Sequence, residues 1–204
     1  RLGVLPLAAG AAALASERDP WRDRGSADLM DRLSWLGRSE STGANPQALR
    51  AVRAVQDDLI RIGRSMTRGT DGQTGTDHDR TLQSLLAGFP DRVGHRRDPS
   101  GRAVLLASGS GVDLDRTIEC GEWMLAIVLT AGPRGRAPLV RVAAEFDPDI
   151  LQCEWVEECT FDRETEAVSA RRVRRWGALV LEAQPAKRRP SPDAVAAVLA
   201  DAAR

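Results

Sequence analysis

The chain contains no tyrosine, and its 204 residues include only 2 histidines, 3 cysteines and one lysine, Lys187. An odd number of cysteines without a Cys-x-x-Cys spacing argues against a disulfide framework and favours a reducing, cytoplasmic compartment. Neither His78 nor His95 lies at a metal-ligand spacing from another histidine or from a cysteine. The sequence therefore argues against a disulfide-stabilised scaffold and predicts no metal centre.

Sequence motifs of the common enzyme classes are also missing. The chain has no phosphate loop (G-x-x-x-x-G-K-[ST]), no dinucleotide fingerprint (G-x-G-x-x-G), no nucleophile turn (G-x-S-x-G) and no metalloprotease motif (H-E-x-x-H). The segment Ala107–Gly111 has no helical pattern after it and predicts a β-turn. Acidic residues between Asp147 and Glu158 precede a basic segment, which favours charge pairing across neighbouring strands over a paired-carboxylate hydrolase. No catalytic residue is predicted.

The chain also lacks an excess of either charge and a long hydrophobic run. Lys+Arg 29 balance Asp+Glu 29, so the formal net charge is zero, and any basic surface for a nucleic acid has to be local. The apolar stretch from Val4 to Leu14 contains Pro6 and Gly10 and is too short to span a bilayer. A membrane is therefore not an expected partner.

The N-terminal part of the chain has apolar residues at helical spacing. The predicted helices are 2–14, a helix capped by Ser26 that ends at Gly37, a helix that begins at Asn45-Pro46 and ends near Met66, and Arg80–Ala87. The segment Arg68–Asp79 lacks apolar residues and predicts a flexible linker. A further helix, Asp193–Ala203, is predicted near the end of the chain.

After Pro90 the apolar pattern changes from helical to extended. The predicted strands are 92–97, 103–108, 123–130, 139–144, 155–162 and 167–181, the last with a break at Gly177. Five or six antiparallel strands with a short helix near Pro148–Cys153 suit a small closed barrel, and the oligonucleotide/oligosaccharide-binding (OB) barrel is the expected type. The fold class is therefore α+β: an N-terminal helical bundle, a small antiparallel five- to six-stranded OB-like barrel and a C-terminal helix. The predicted bounds are 1–67 for the helical domain, 68–79 for the linker, 80–189 for the barrel and 190–204 for the last helix.

Arginines in this β-rich part are the candidate binding residues. They are Arg96, Arg97, Arg102, Arg171, Arg172, Arg174 and Arg175. Because side chains alternate along a strand, Arg172 and Arg174 face one way while Arg171 and Arg175 face the other. Guanidinium groups on a strand can follow a sugar-phosphate backbone without reading sequence. A solvated, salt-bridged strand edge explains the same residues equally well.

Aromatic residues that could stack on nucleic-acid bases are scarce in the sequence. Aromatics make up 4% of the chain, and the tryptophans of its second half, Trp123, Trp155 and Trp176, lie mostly within apolar runs. These three side chains are therefore expected in the core, where they cannot contact a base.

Four segments together resemble the C-terminal accessory region of bacterial HrpB-type DEAH-box ATP-dependent helicases. They are Leu85–Val93 (LLAGFPDRV), Arg96-Arg97, Leu106–Val112 (LASGSGV) and Ala170–Leu181 (ARRVRRWGALVL). In that family a leucine-rich helix followed by aromatic-Pro-Asp-Arg opens a barrel, and an arginine-rich segment with Gly-x-Leu-x-Leu closes it. Residues 2–20 are similar to the family's helical ratchet-like domain. The resemblance covers most of the chain and is weakest over 37–79.

This resemblance implies that the chain is a piece of a longer polypeptide. The parent protein would couple ATP hydrolysis, with Mg²⁺, to movement along RNA through two RecA-like domains before Arg1, so no cofactor is expected in this chain. The implied partners are single-stranded RNA or DNA and the RecA-like helicase core of the same polypeptide. A second hypothesis, favoured by the neutral net charge, is a protein-interaction module that docks on the helicase core without direct nucleic-acid contact. An independent hydrolase or transferase is a distant third, since no nucleophile, base and orienting group can be assembled from the motifs.

Overall fold

The computed structural model describes residues 4–21, 26–38, 43–66, 77–163, 165–186 and 190–202. Its contacts divide the chain into two compact units, residues 1–150 and 151–204. The predicted linker, 68–79, lies largely outside the described residues, and so do residues 187–189 at the predicted end of the barrel. The domain bounds inferred from the sequence therefore stay predictions.

Four α-helices open the first unit. They are α1 (Val4–Ser16), α2 (Leu29–Leu36), α3 (Pro46–Met66) and α4 (Asp77–Gly88), which confirms the helices predicted for this part of the chain. Gly10 lets α1 pack closely against α2 and α3. A Cβ atom at this position would lie too close to both helices, at 2.9 Å from Leu33 Cδ2 and 3.0 Å from Gln56 Nε2. The small-residue composition of α1 thus allows dense packing of the three helices.

The N-terminal capping residue is the predicted one at α3 but a different one at α2. Asn45 caps α3 as predicted, since its Oδ1 accepts hydrogen bonds from two backbone N–H groups of the first turn at 3.1 and 3.0 Å. Helix α2, predicted to be capped by Ser26, is capped by Asp28, whose Oδ1 accepts from two first-turn N–H groups at 2.8 and 3.0 Å. Asp28 is the residue directly before the helix, so its carboxylate reaches the first turn, while the Ser26 hydroxyl accepts from the Asp28 N–H.

The first unit also contains a closed five-stranded barrel. Its strands are β1 (Val93–Arg96), β2 (Ala103–Leu106), β3 (Gly111–Leu114), β4 (Trp123–Thr130) and β5 (Leu139–Glu145), in the order β1-β2-β3-β5-β4. Neighbouring strands are antiparallel except β3 and β5, which are parallel. This topology is compatible with an OB fold and confirms the α+β class, with a mixed barrel in place of a fully antiparallel one. Strand β3 follows so closely on the predicted turn that the sequence indicated only a loop there.

Apolar side chains fill the barrel. The buried core includes Val104, Leu106, Val112, Leu114, Met124, Ala126 and Val140. Gly94 on β1 faces this core, because a Cβ atom there would lie 2.8 Å from Val104 Cγ1 and 3.2 Å from Leu106 Cδ2. Its missing side chain leaves room for the larger residues of the neighbouring strand. Since side chains alternate along a strand, the residues on either side of Gly94 face outward.

The helical bundle covers part of the outer surface of this barrel. Helix α1 lies against β4, and the backbone N–H of Ala143 on β5 donates to the Ala27 carbonyl at 3.1 Å. Val93 and Leu125, which are cross-strand partners on the outer surface, have no exposed area. The outward residues of β2 and β3, in contrast, are partly or fully exposed. The open side of the barrel is therefore the outer face of β2 and β3.

The second unit contains a three-stranded antiparallel sheet and a helix. Its elements are β6 (Trp155–Asp162), β7 (Ala167–Trp176), β8 (Leu179–Pro185) and α5 (Pro192–Ala202). The sequence correctly predicted these strands, including the break at Gly177, but assigned them to the barrel. They form a sheet of their own because short turns join them and β7 pairs with β6 over 167–174 and with β8 over 171–176. The helix predicted at Pro148–Cys153 is a 3₁₀ turn over Pro148–Ile150.

Candidate nucleic-acid interface

Arg96 lies at the end of β1, and its guanidinium group is bound to the backbone. Nε, Nη1 and Nη2 donate to the carbonyl oxygens of Gly121 (3.0 Å), Gly101 (2.7 Å) and Cys120 (2.7 Å). These carbonyls belong to the β1–β2 and β3–β4 loops, so the side chain ties both loops to the barrel. A phosphate contact would have to break such bonds, and the geometry therefore favours a structural role for Arg96.

Arg97 and Arg102 lie in the β1–β2 loop, and both are exposed. Arg102 Nη2 donates to the carbonyl oxygen of Leu114 at the end of β3. Arg97 has no side-chain hydrogen bond or ion pair with the residues that the structure describes. All five N–H donors of Arg97 are therefore available to a ligand.

Two further exposed arginines, which were not among the candidates from the sequence, lie in the β4–β5 loop: Arg134 and Arg136. The strand register brings this loop beside the β1–β2 loop, because Asp113 on β3 pairs with Ala103 on β2 and with Leu139 on β5. The two loops lead into β2 and β5 at these partner residues, so they project from the same end of the barrel. A basic turn between two apolar strands was visible in the sequence, but its neighbour in space was not.

We call this part of the surface the basic end of the barrel and define it by Arg97, Arg102, Arg134 and Arg136. Asp115 lies next to it, and its carboxylate binds the Arg141 guanidinium and accepts hydrogen bonds from Thr117. Burial by itself raises the pKa of Asp115, but the hydrogen bonds from Thr117 and the charges of Arg141 and Arg102 together lower it below its ordinary value. Asp115 is therefore ionised at neutral pH and is already paired with arginine.

The other four candidate arginines lie on β7, in the sheet of the second unit and not in the barrel. Arg171 and Arg175 point to one face, as the alternation predicted, and both bind Glu158 on β6, at 3.3 and 2.5 Å. The expected pairing of acidic and basic residues across neighbouring strands is thus confirmed at Glu158. One carboxylate is shared by two guanidinium groups, which leaves the group of three with a positive charge.

The opposite face of β7 carries Arg172 and Arg174. Arg174 lies 3.8 Å from the carboxylate of Glu182 on β8, and the Arg172 guanidinium lies 5.3 Å from the centre of the Trp155 ring. All four β7 arginines therefore have partners within the sheet, which favours the salt-bridged interpretation of this strand.

The tryptophans of the second half are not in the core. The apolar runs predicted a core position for Trp123, Trp155 and Trp176, and this expectation was wrong, because each of them is partly exposed. Trp123 stacks on His95, with ring centroids 4.3 Å apart and an interplanar angle of 37°. His95 is likewise partly exposed on the surface of β1. The apolar run 123–130 was misleading because its first residue, Trp123, is partly exposed to solvent.

Neither a metal site nor a membrane span is found within the described ranges. No group of three or more His, Cys, Asp or Glu side chains there could hold a metal ion. Among the same residues, no helix has both the length and the apolar character needed to cross a bilayer.

The solved structures that this chain resembles include helicases. Two of them are crystal structures of HrpB from Escherichia coli, one described as a DExH-box NTPase and the other as a DEAH/RHA helicase. The first matches 95% of this chain at 22% sequence identity with a TM-score of 0.63. The second matches 93% at 24% identity, also with a TM-score of 0.63.

This likeness establishes the fold of the chain and confirms, at the level of the fold, the resemblance to HrpB inferred from the sequence. The chain spans only 22% of the length of each HrpB chain. No protein-family model matches the sequence, and no curated protein does.

Proposed function

We propose that this chain is the non-catalytic accessory region of a HrpB-like DEAH-box ATP-dependent RNA helicase, in which it contacts single-stranded nucleic acid and the RecA-like helicase core. The observation that carries the proposal is the match of nearly the whole chain to about a fifth of HrpB. The absence of phosphate-binding and nucleophile motifs supports a non-catalytic role. ATP and Mg²⁺ would be bound by the helicase core, and the compartment would be the cytoplasm.

The basic end of the barrel is the surface that we propose for the nucleic acid. In OB barrels the face of the second and third strands and the loops before the second and fifth strands bind oligonucleotides. The four arginines that define the basic end lie in those two loops and are exposed. Arginines in such positions neutralise phosphates and release counterions, which gives affinity without base specificity. Two of them, Arg97 and Arg102, were among the residues chosen from the sequence.

The β7 arginines are a secondary surface in this proposal. Each phosphate contact there would replace a partner that the side chain already has, such as Glu158 for Arg171 and Arg175. Exposed ion pairs contribute only about 0–1 kcal/mol, so a phosphate can compete with them. A contact at β7 nevertheless gains less than a contact made by an unpaired arginine.

A second candidate function is a protein-interaction module that docks on the helicase core without contacting RNA. The pairing of the β7 arginines within their sheet and the zero net charge favour it. The two candidates differ in one measurable property, which is salt-dependent binding of RNA by this chain alone.

A titration of fluorescent single-stranded RNA at low salt tests the proposal. The variant Arg134→Ala/Arg136→Ala should bind more weakly, and the slope of log K against log salt should become shallower by about 1.4, since each lost phosphate contact on a single strand contributes about 0.7. The variant Arg50→Ala/Arg64→Ala removes the same charge from exposed positions of α3 and serves as the control. Absence of binding by the wild type would contradict RNA contact and leave the protein-interaction module.

A further inference from the structure

The strand register assigns a base-stacking site to the outer face of the barrel, formed by Trp123, His95 and Leu105 with Arg97 at its edge. Its ligand is an unpaired nucleobase of single-stranded RNA. This inference rests on the proposed function and adds to it a contact with bases, beyond the contacts with phosphates at the basic end.

Three side chains form a continuous row across three strands. His95 on β1 is the cross-strand partner of Trp123 on β4 on one side and of Leu105 on β2 on the other. Gly111 on β3 is in turn the partner of Leu105. Directly opposed residues in antiparallel strands project to the same face, so the row runs from an aromatic pair over a leucine to a residue without a side chain.

This row faces away from the barrel core. Gly94, the neighbour of His95, points inward at Val104 and Leu106, and alternation therefore turns His95 outward. Trp123, His95 and Leu105 are each partly exposed, and Gly111 is exposed. Part of the aromatic surface of this row is thus accessible to a ligand from outside the barrel.

Arg97 adds a positive charge at the end of the row. Its Nη2 atom would lie 3.7 Å from a Cβ atom at Gly111, so the side chain extends from the end of β1 across β2 to β3. It has no ion-pair partner among the described residues. A guanidinium in this place can bind the phosphate next to a stacked base or lie flat on the base.

The chemistry of the row fits an unpaired base better than a paired one. Bases stack on exposed aromatic rings only when they leave the duplex, and such stacking is tolerant of sequence because every base has a π-face. The missing Cβ at Gly111 keeps the far end of the row flat. The phosphate contacts at the basic end and the base contacts on this row lie on the same side of the barrel, because both sites border β2 and β3.

Comparison of a base-containing with an abasic ligand tests this site. The full chain is titrated with an oligouridylate of about 12 nucleotides and with an abasic oligonucleotide of the same length. The wild type should prefer the oligouridylate by about 5- to 150-fold, the range expected for one base–aromatic stack. In His95→Ala/Trp123→Leu this preference should disappear while the salt slope stays unchanged. Trp155→Leu, which removes a partly exposed tryptophan from the other sheet, should retain the preference.

A second pair of variants covers the case in which His95→Ala/Trp123→Leu fails to fold. Gly111→Glu places a negative charge at the end of the row, and Gly111→Gln places a neutral side chain of the same shape there. Gly111 does not have a positive φ, so neither change strains the backbone. Binding of the oligouridylate should be weaker for Gly111→Glu than for Gly111→Gln.

The failure of this inference can be told apart from the failure of the proposed function. Equal binding of the two ligands by the wild type, or retention of the preference in a folded His95→Ala/Trp123→Leu, overturns the stacking site. If Arg134→Ala/Arg136→Ala still weakens binding in that case, the proposed RNA contact stands. If the wild type binds neither ligand at low salt, the proposed function fails and the stacking site fails with it.

Discussion

Arg32 on α2 and Asp19 in the segment after α1 form a buried ion pair, with only 4% and 9% of the two side chains exposed. The same guanidinium donates to the carbonyl oxygens of Ser26 at 2.5 Å and Trp21 at 3.4 Å. It also lies 5.4 Å from the centre of the Trp21 ring. Burial lowers the pKa of Arg32, and the charge and hydrogen bond of Asp19 oppose that change. Arg32 thereby ties Asp19, Trp21 and Ser26 to α2, next to the barrel contact at Ala27.

Replacement of Arg32 should strongly destabilise the first unit. Arg32→Ala leaves the Asp19 carboxylate buried without its partner, and the free energy of unfolding should fall by about 3 to 5 kcal/mol. Urea denaturation followed by circular dichroism measures it. The double variant Asp19→Leu/Arg32→Met should regain part of the loss, because no unpaired charge remains. Unchanged stability of Arg32→Ala would show that the pair is not buried in solution.

A methyl group should destabilise the barrel at one of its glycines and have almost no effect at another. Gly94→Ala would place a Cβ 2.8 Å from Val104 Cγ1, and overpacking should lower the free energy of unfolding by about 1 to 3 kcal/mol. Gly111→Ala meets only Arg97 Nη2 at 3.7 Å and should change stability by less than about 0.5 kcal/mol. Thermal denaturation of both variants tests the inward position of Gly94, and equal effects would contradict it.

Asp115 should contribute a pH-dependent part of the stability. Its pKa is lowered in the folded chain, so its contribution is fully present above the unfolded pKa of about 3.9 and is lost as the pH falls through the lower folded pKa. The difference in unfolding free energy between the wild type and Asp115→Asn should therefore be large at neutral pH and shrink below about pH 4. Thr117→Val, which removes one hydrogen-bond donor to the carboxylate, should show a smaller effect of the same sign. A pH-independent difference would contradict the lowered pKa.

Removal of the shared carboxylate on β6 should release two guanidinium groups. Glu158→Gln frees Arg171 and Arg175 from their ion pairs, and its cost in stability should stay below about 1 kcal/mol for such exposed pairs. RNA affinity should rise by more than it does in Glu157→Gln, which changes the net charge equally on the neighbouring residue. RNA titration at low salt compares the two variants. Equal affinities would mean that the β7 arginines do not reach the nucleic acid.

The bounds of most elements could be predicted because they depend on local chemistry. Asn45 and Pro46 start α3 through side-chain capping and a fixed φ, and the runs at 123–130 and 155–162 coincide with β4 and β6. The cap of α2 was assigned to Ser26 in place of Asp28, since both residue types cap helices and only the backbone path decides between them. Strand β3 was missed because a four-residue strand directly after a glycine turn leaves almost no alternating pattern.

The candidate site could be predicted only in part. Arg97 and Arg102 could be chosen from the sequence because a basic loop after a predicted strand is recognised from neighbouring residues alone. Arg134 and Arg136 join them only through the pairing of Asp113 with Ala103 and Leu139, which involves residues distant in the sequence. Arg96 is directly before Arg97 and of the same residue type, yet its donors are used by three backbone carbonyls.

The sequence by itself determined the α+β class, the order of the helices and of every strand but β3, and the absence of enzyme motifs, because periodicity, capping and motif spacing act over a few residues. The tertiary structure decided which strands close the barrel and which arginines are free, because strand partners and ion pairs join distant residues. It also turned Trp123 and His95 outward as a stacked pair, a relationship that depends on the register between β1 and β4. Register is fixed by the packing of the whole barrel around Gly94 and its neighbours, and no single segment of the chain contains that information.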